Sequence, residues 1–207
     1  MRDQYLYPHT NVLKNLLNIT NASLFEEAEA DYTSLRIKQL IQSPVKGKFS
    51  VTHFCNIHKF IFQDIFSWAG QFRKMNIEKD EPVLGDLSVE YCDFKQIGKN
   101  LKQTLLTLNQ TKWVENQLEQ NVNDFSKILA SIWKIHPFRE GNTRTTIIFM
   151  CQFAHEHNIK LNRELFAKHI IYVRTALAAY NATFSDIGDY SKKEYLENFV
   201  KDAMTKS

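Results

Sequence analysis

At 207 residues, the chain is long enough for one substantial domain with its own hydrophobic core. Apolar residues at 43% and charged residues at 24% exclude a disordered or fibrous chain, and no apolar run is long enough to span a bilayer. The net charge of +3 comes from scattered lysines rather than a basic run. That argues against nucleic acid as the main partner while leaving room for a phosphate at one site.

The opening residues lack the basic-then-apolar layout of a signal peptide. Cys55, Cys92 and Cys151 are odd in number and far apart, so neither a disulfide framework nor a zinc site follows. Both observations favour a reducing, cytoplasmic setting; a specialised secretion route, as for an effector, stays open.

In chain order, residues 23–42 carry Leu24, Ala28, Tyr32, Leu35, Leu40 and Ile41 at helical spacing. Pro44 and Gly47 interrupt the pattern. Ser50 is placed to cap a second helix, with Phe54, Ile57, Phe60, Ile61 and Ile65 along its apolar stripe, which predicts a run towards Ser67. Residues 72–90 change character. Met75 and Ile77 alternate with polar neighbours, and Asp80, Glu81 and Pro82 offer a turn, so this stretch reads as a short exposed β-hairpin. Helical spacing resumes near Tyr91 and continues through Leu106, Trp113 and Leu118, with a break at Thr111 and Lys112. Phe125, Ile128, Leu129, Ile132 and Trp133 form the apolar face of a helix ending near Ile135, where Pro137 forbids its continuation. Ile147, Ile148, Phe149, Met150 and Phe153 make the next helix almost continuously apolar, as expected of a buried one. Residues 165–180 and 192–204 supply two more. The expected fold is all-α over residues 1–207, with its core at about 29–199, a hairpin at about 73–90 and a loop at 136–145.

That loop concentrates the polar chemistry. Asn142 can cap a helix starting at Thr143, and Gly141 lets the chain turn tightly before it. Free N–H groups and the positive helix end would there form an anion site. Arg144, in the first turn, is unfavourable to the dipole unless it holds an anion such as phosphate; the alternative is a surface arginine. Glu140 either binds Mg²⁺ between itself and phosphate oxygens or pairs with Arg139 or Arg144. His136 is a candidate base, because an imidazole can take a proton from a hydroxyl near neutral pH, or a satisfied structural histidine. Phe138 should bury itself and hold the loop rigid.

The order His136, Pro137, Phe138, Glu140, Gly141, Asn142 and Arg144 resembles the signature of the Fic (filamentation induced by cAMP) domain family. Residues 62–73, with Trp68, Gly70 and Arg73, resemble the family's helix leading into its target-docking flap, followed here by Ile77 and Lys79. The resemblance implies a helical domain with a β-hairpin flap and transfer of AMP from ATP to a Tyr, Ser or Thr hydroxyl of a target protein. It implies that His136 is the base, that Glu140 holds Mg²⁺, and that Gly141, Asn142, Thr143 and Arg144 receive the phosphates, with Lys79 bordering the nucleotide. It also implies that a target segment docks along Ile77, Glu78, Lys79 and Asp80 by strand addition.

Two positions depart from the family's pattern. Thr143 stands where the motif has glycine, and Ile147 where it has a second arginine that holds the γ-phosphate and pairs with an inhibitory glutamate. Donor specificity and inhibition are therefore open. The nearest approach to an inhibitory motif, at Ser23 and Glu27, is incomplete because Ala28 follows. Inhibition by a separate small antitoxin is not indicated, and homo-oligomerisation is undecided by the sequence. Transfer of another nucleotide or phosphate-containing group, or a catalytically weak nucleotide-responsive binding module, are the competing readings. Tyr172, Arg174 and Tyr180 either border the nucleotide base or simply pack a late helix.

Overall fold

The computed structural model describes residues 3–206. Among these residues eight α-helices follow in the order α1 (Ala22–Gln42), α2 (Val51–Phe62), α3 (Ile97–Gln110), α4 (Leu118–Ile135), α5 (Asn142–Glu156), α6 (Arg163–Lys168), α7 (Ile170–Tyr180) and α8 (Lys193–Thr205). One short antiparallel ladder, β1 (Thr183–Phe184) and β2 (Gly188–Asp189), follows α7. The all-α expectation holds. No helix among the described residues is long and apolar enough to cross a membrane.

Helix α4 is the hub, packing on α8, α3 and α5, while α2 packs on α5 and on α1. Its apolar stripe is buried along its whole length, including Phe125, Leu129, Ile132 and Trp133. The nearly continuous apolar run of α5 lies, as expected, in the interior: Thr146, Ile147, Phe149, Met150 and Phe153 are all buried. Ser50 caps α2, its side chain accepting from the His53 N–H, a contact of about 1 kcal/mol in helices generally.

Several boundaries differ from the sequence expectation. Helix α2 stops at Phe62 rather than near Ser67, yet Ile65 and Phe66 beyond it are buried, so the apolar spacing outlasts the helix. Tyr91 and Trp113 lie outside helices, and residues 165–180 divide at His169 into α6 and α7. The stripe predicted for α1 is mostly not its core face: Leu40 is buried as expected, but Leu24, Tyr32, Leu35 and Ile41 are exposed, and Phe25 and Thr33 face inward instead. The hairpin near 73–90 is a hairpin with almost no ladder. A single antiparallel bridge, Asp80 to Ser88, closes it around a 3₁₀ turn at Pro82–Leu84. Side chains 75–80 do alternate between half-buried and exposed, which is what the sequence pattern reports.

Candidate active site

Helices α4 and α5 meet end to end across residues 136–141, and the local chemistry dictates the shape of that junction. With Pro137 next, His136 leaves the helix in a left-handed conformation (φ 48°, ψ 60°), unusual for a residue with a side chain. Buried Arg73 supports this bend. Its Nε donates to the His136 carbonyl at 2.8 Å, its other nitrogens donate to the carbonyls of Met75 and Cys92, and its backbone N–H donates to Pro137. One guanidinium thus ties both ends of the flap to the bend.

Phe138 anchors the loop as expected, fully buried and stacked on His58 at 3.7 Å and on Phe54 at 5.7 Å. Such burial contributes roughly 1.5–3 kcal/mol. The expectation for Asn142 is corrected. Gly141 (φ 79°) occupies the cap position, and the Asn142 side chain points inward, accepting from the Phe138 N–H at 2.9 Å and donating to the Phe138 carbonyl at 2.8 Å. Asn142 therefore shapes the loop with its side chain and offers a ligand only its backbone N–H. The N–H groups of Asn142, Thr143 and Arg144 have no acceptor among the described residues, leaving the start of α5 open to an anion.

His136 is almost wholly buried. Its Nδ1 lies 3.2 Å from the Trp133 carbonyl, which can only accept, so Nδ1 carries the proton. Nε2 is then a bare lone pair, buried and without a partner among the described residues. Burial, followed by the Lys79 ammonium, pushes the imidazole well below its usual value of 6.5, keeping it neutral. Tyr91 covers the ring at 4.0 Å and Trp133 meets it edge-on at 5.3 Å.

Glu140 pairs with neither arginine considered from sequence. Arg139 bonds Asp3, and Glu140 meets flap Lys79 at 2.8 Å while its other oxygen accepts from the Gly141 N–H. Burial alone would raise this carboxyl; Lys79 and the Gly141 N–H outweigh it and hold it below the usual carboxylate range. Arg144 turns towards α1, bonding Glu29 at 2.7 Å and Thr33 at 3.1 Å, with its guanidinium 4.8 Å above Phe62. Arg174 bonds Glu81 at the flap turn, and Tyr91 donates to the same carboxylate.

Glu29, Lys79, His136, residues 140–144, Ile170, Ile171 and Arg174 line one cavity of about 280 Å³. A larger recess of about 390 Å³ beside Cys92, Asn100 and Lys134 lies elsewhere, so chemistry rather than volume picks the site. The structure brings together every predicted site residue, with Arg174 added; Tyr172 and Tyr180 do not line the cavity. Ile147 is buried, so its position serves packing and presents no charge. Sequence reasoning missed Glu29, Glu81 and Tyr91, none of which carries a local signal. Among the described residues no cluster of three metal-ligating side chains exists, so a cation here would rest on Glu140 and a ligand's oxygens.

His58 holds the loop from behind. Its Nε2–H donates to the Glu140 carbonyl at 3.0 Å and its Nδ1 accepts from the Gly70 N–H at 2.8 Å. Burial pushes His58 down to about 3, while the unfolded chain would protonate it near 6.5. Between those values the unfolded state binds the extra proton, so stability should fall with acidification by about 1.4 kcal/mol per pH unit. Urea midpoints at about pH 7 and about pH 5 are expected to show a loss of roughly 2 kcal/mol. Equal or greater stability at the lower pH would contradict the neutral, buried assignment.

Residues 48–154, just over half of the chain, match the Fic/DOC family. The probable protein adenylyltransferase Fic of Salmonella typhimurium is 34% identical over 155 residues, covering 74% of this chain and 72% of that protein. Protein adenylyltransferase VbhT of Bartonella schoenbuchensis is 30% identical over 155 residues, and a protein adenylyltransferase of Bartonella henselae 28% over 212. The matches cover only 31% and 39% of those two Bartonella proteins. Among solved structures, the N-terminal FIC domain of the VirB-translocated effector Bep8 from Bartonella sp. 1-1C superposes with a TM-score of 0.75 at 23% identity, covering 98% of this chain and 94% of that one. BepC protein of Bartonella tribocorum, solved with bound AMPPNP, gives 0.76 at 20%, covering 96% and 95%. The family match over residues 48–154 and the relative at 34% identity agree, and the chain belongs to the Fic/DOC family.

Proposed function

We propose that the chain transfers AMP from ATP to a Tyr, Ser or Thr hydroxyl of a target protein, releasing pyrophosphate. The observation that carries this reading is the neutral, unpartnered Nε2 of His136 beside the unsatisfied N–H groups of α5 in one cavity. Nε2 takes the hydroxyl proton, the oxygen attacks the α-phosphorus, and the bond from that phosphorus to the β-bridging oxygen breaks. The free N–H groups of residues 142–144 would meet the charge that builds on the phosphates, joined by the Arg144 guanidinium once it is released from Glu29. Mg²⁺ fits Glu140, an ionised carboxylate whose present partner is a movable lysine, and would supply charge neutralisation between the phosphates. A target segment docking by strand addition would run along Ile77, Glu78, Lys79 and Asp80, where Asp80 is bridged to Ser88 and the Lys79 N–H donates to the Ser88 hydroxyl. The AMPPNP of the BepC structure supports a nucleotide in such a cavity.

Incubating labelled ATP, GTP, UTP and CTP with the protein and a cell lysate tests the activity and the donor together. Protein-bound label from ATP is the expected result; its absence with every donor would leave the binding-module reading. Buried Ile147 favours a second possibility, a donor other than ATP, which the same comparison decides.

The Glu29–Arg144 pair bears on affinity. Arg144 must leave the Glu29 carboxylate to grip phosphate, and that carboxylate repels phosphate besides. Glu29→Gln is expected to tighten ATP binding about tenfold, equivalent to roughly 1.4 kcal/mol, by calorimetry. Weaker binding in this variant would mean that Glu29 instead aims Arg144 at the ligand.

A further inference from the structure

We propose that the Thr143 hydroxyl is itself a phosphate-binding group, oriented and polarised by Trp133. This rests on the phosphate-site reading above and adds a side-chain donor to it. Trp133 is fully buried in α4, and its indole N–H donates to Thr143 Oγ1 at 2.8 Å. A threonine hydroxyl has one proton and two lone pairs. The indole occupies one lone pair, while the proton finds no acceptor among the described residues.

Helix position explains why that proton is free. Deeper in a helix a threonine hydroxyl turns back to the carbonyl four residues earlier, as Thr145 does to Gly141. Thr143 is the second residue of α5, and no helical carbonyl precedes it at that distance. Its hydroxyl is instead held by Trp133, and Thr143 lines the same cavity as His136, whose Nε2 is buried and unpartnered among the described residues. Accepting a hydrogen bond strengthens a hydroxyl as a donor and removes its rotational freedom. An anion over the start of α5 would thus meet the backbone N–H groups and one oriented O–H.

Ile147 lies one turn further along the same face of α5. The two departures from the motif are therefore neighbours. One presents no charge, and the other brings a neutral donor to the edge of the same site. Trp133 also sets the base, since its carbonyl accepts from His136 Nδ1 and its ring meets the imidazole edge-on. A single buried residue connects base and phosphate cradle.

Calorimetric titrations with MgATP and, separately, with pyrophosphate test the assignment on wild type, Thr143→Ser, Thr143→Val, Thr143→Gly, Trp133→Phe and the Trp133→Phe/Thr143→Val pair. A hydrogen bond to a charged acceptor predicts weakening of about 10- to 100-fold for the valine and glycine variants, and less than about threefold for serine. The double variant separates binding from structure. It removes both the orphaned indole N–H and the hydroxyl, so a structural defect is relieved, whereas loss of a phosphate donor persists. Affinity within about twofold of wild type in Thr143→Val, or recovery of wild-type affinity in the double variant, overturns the proposal. A wild type that binds pyrophosphate but labels no protein would defeat the transferase reading alone, and the pyrophosphate series would still decide Thr143. Binding of neither ligand by wild type would defeat both.

Discussion

Replacing His136 by alanine should lower nucleotide transfer by about 10²- to 10⁴-fold while leaving ATP affinity within about threefold of wild type. The split follows from how the site divides its work. On the proposed reading, the phosphates would be held by the start of α5, Arg144 and Glu140, none of which the imidazole holds in place. Proton removal has one candidate, the bare Nε2 lone pair. Alanine is disfavoured at the left-handed backbone of this position, so His136→Asn is the companion variant. Asparagine tolerates φ of 48° better and lacks a basic nitrogen. Both should be inactive and both should bind ATP. Labelling above about a tenth of wild type in either variant would remove His136 from the role of base. The pH dependence gives a second check. Because burial and Lys79 push the imidazole below 6.5, the neutral form persists through mild acid. Transfer by wild type should stay level from about pH 8 to about pH 6 and fall only below that.

Much of this arrangement could be read from the sequence where the signal is local. The stripes of α4 and α5, the Ser50 cap and the order from His136 to Arg144 all act over a turn or two of backbone. Partners distant in sequence could not be read. Arg144 finds Glu29 some 115 positions earlier, and Glu140 finds Lys79 some 61 positions earlier, in preference to arginines one and four residues away. Those choices depend on how α1 and the flap lie across the loop, which no spacing rule encodes. Local rules also misled at three places. Asn142 is a good capping residue by type, but its side chain satisfies the Phe138 backbone instead, because Gly141 already supplies the turn. Burial of Ile65 and Phe66 continues the apolar rhythm of α2 past its end. In α1 the exposed stripe of Leu24, Tyr32 and Leu35 looked like a core face, while the inward positions include a threonine.

Gly141→Ala should reduce ATP affinity more than about 100-fold and destabilise the fold by roughly 2–4 kcal/mol, although it adds one methyl group. Two independent penalties meet at this residue. Its backbone sits at φ 79°, where a residue with a Cβ is strained. An added Cβ would also lie 2.2 Å from Phe62 Cζ and 2.3 Å from its Cε2. Phe62 has little room to retreat, because it is fully buried, stacks on His58 at 4.6 Å and on Phe66 at 5.9 Å, and carries the Arg144 guanidinium above its ring. The backbone must therefore shift, taking with it the Gly141 N–H that bonds Glu140 and the free N–H groups of residues 142–144. Urea unfolding and ATP calorimetry on the same variant measure the two effects. Adding Phe62→Leu relieves the clash but not the φ strain, so the double variant should recover part of the stability and little of the affinity. Wild-type binding in Gly141→Ala would mean that the α5 N–H groups do not hold the phosphates, since no backbone shift large enough to clear Phe62 could leave them in place.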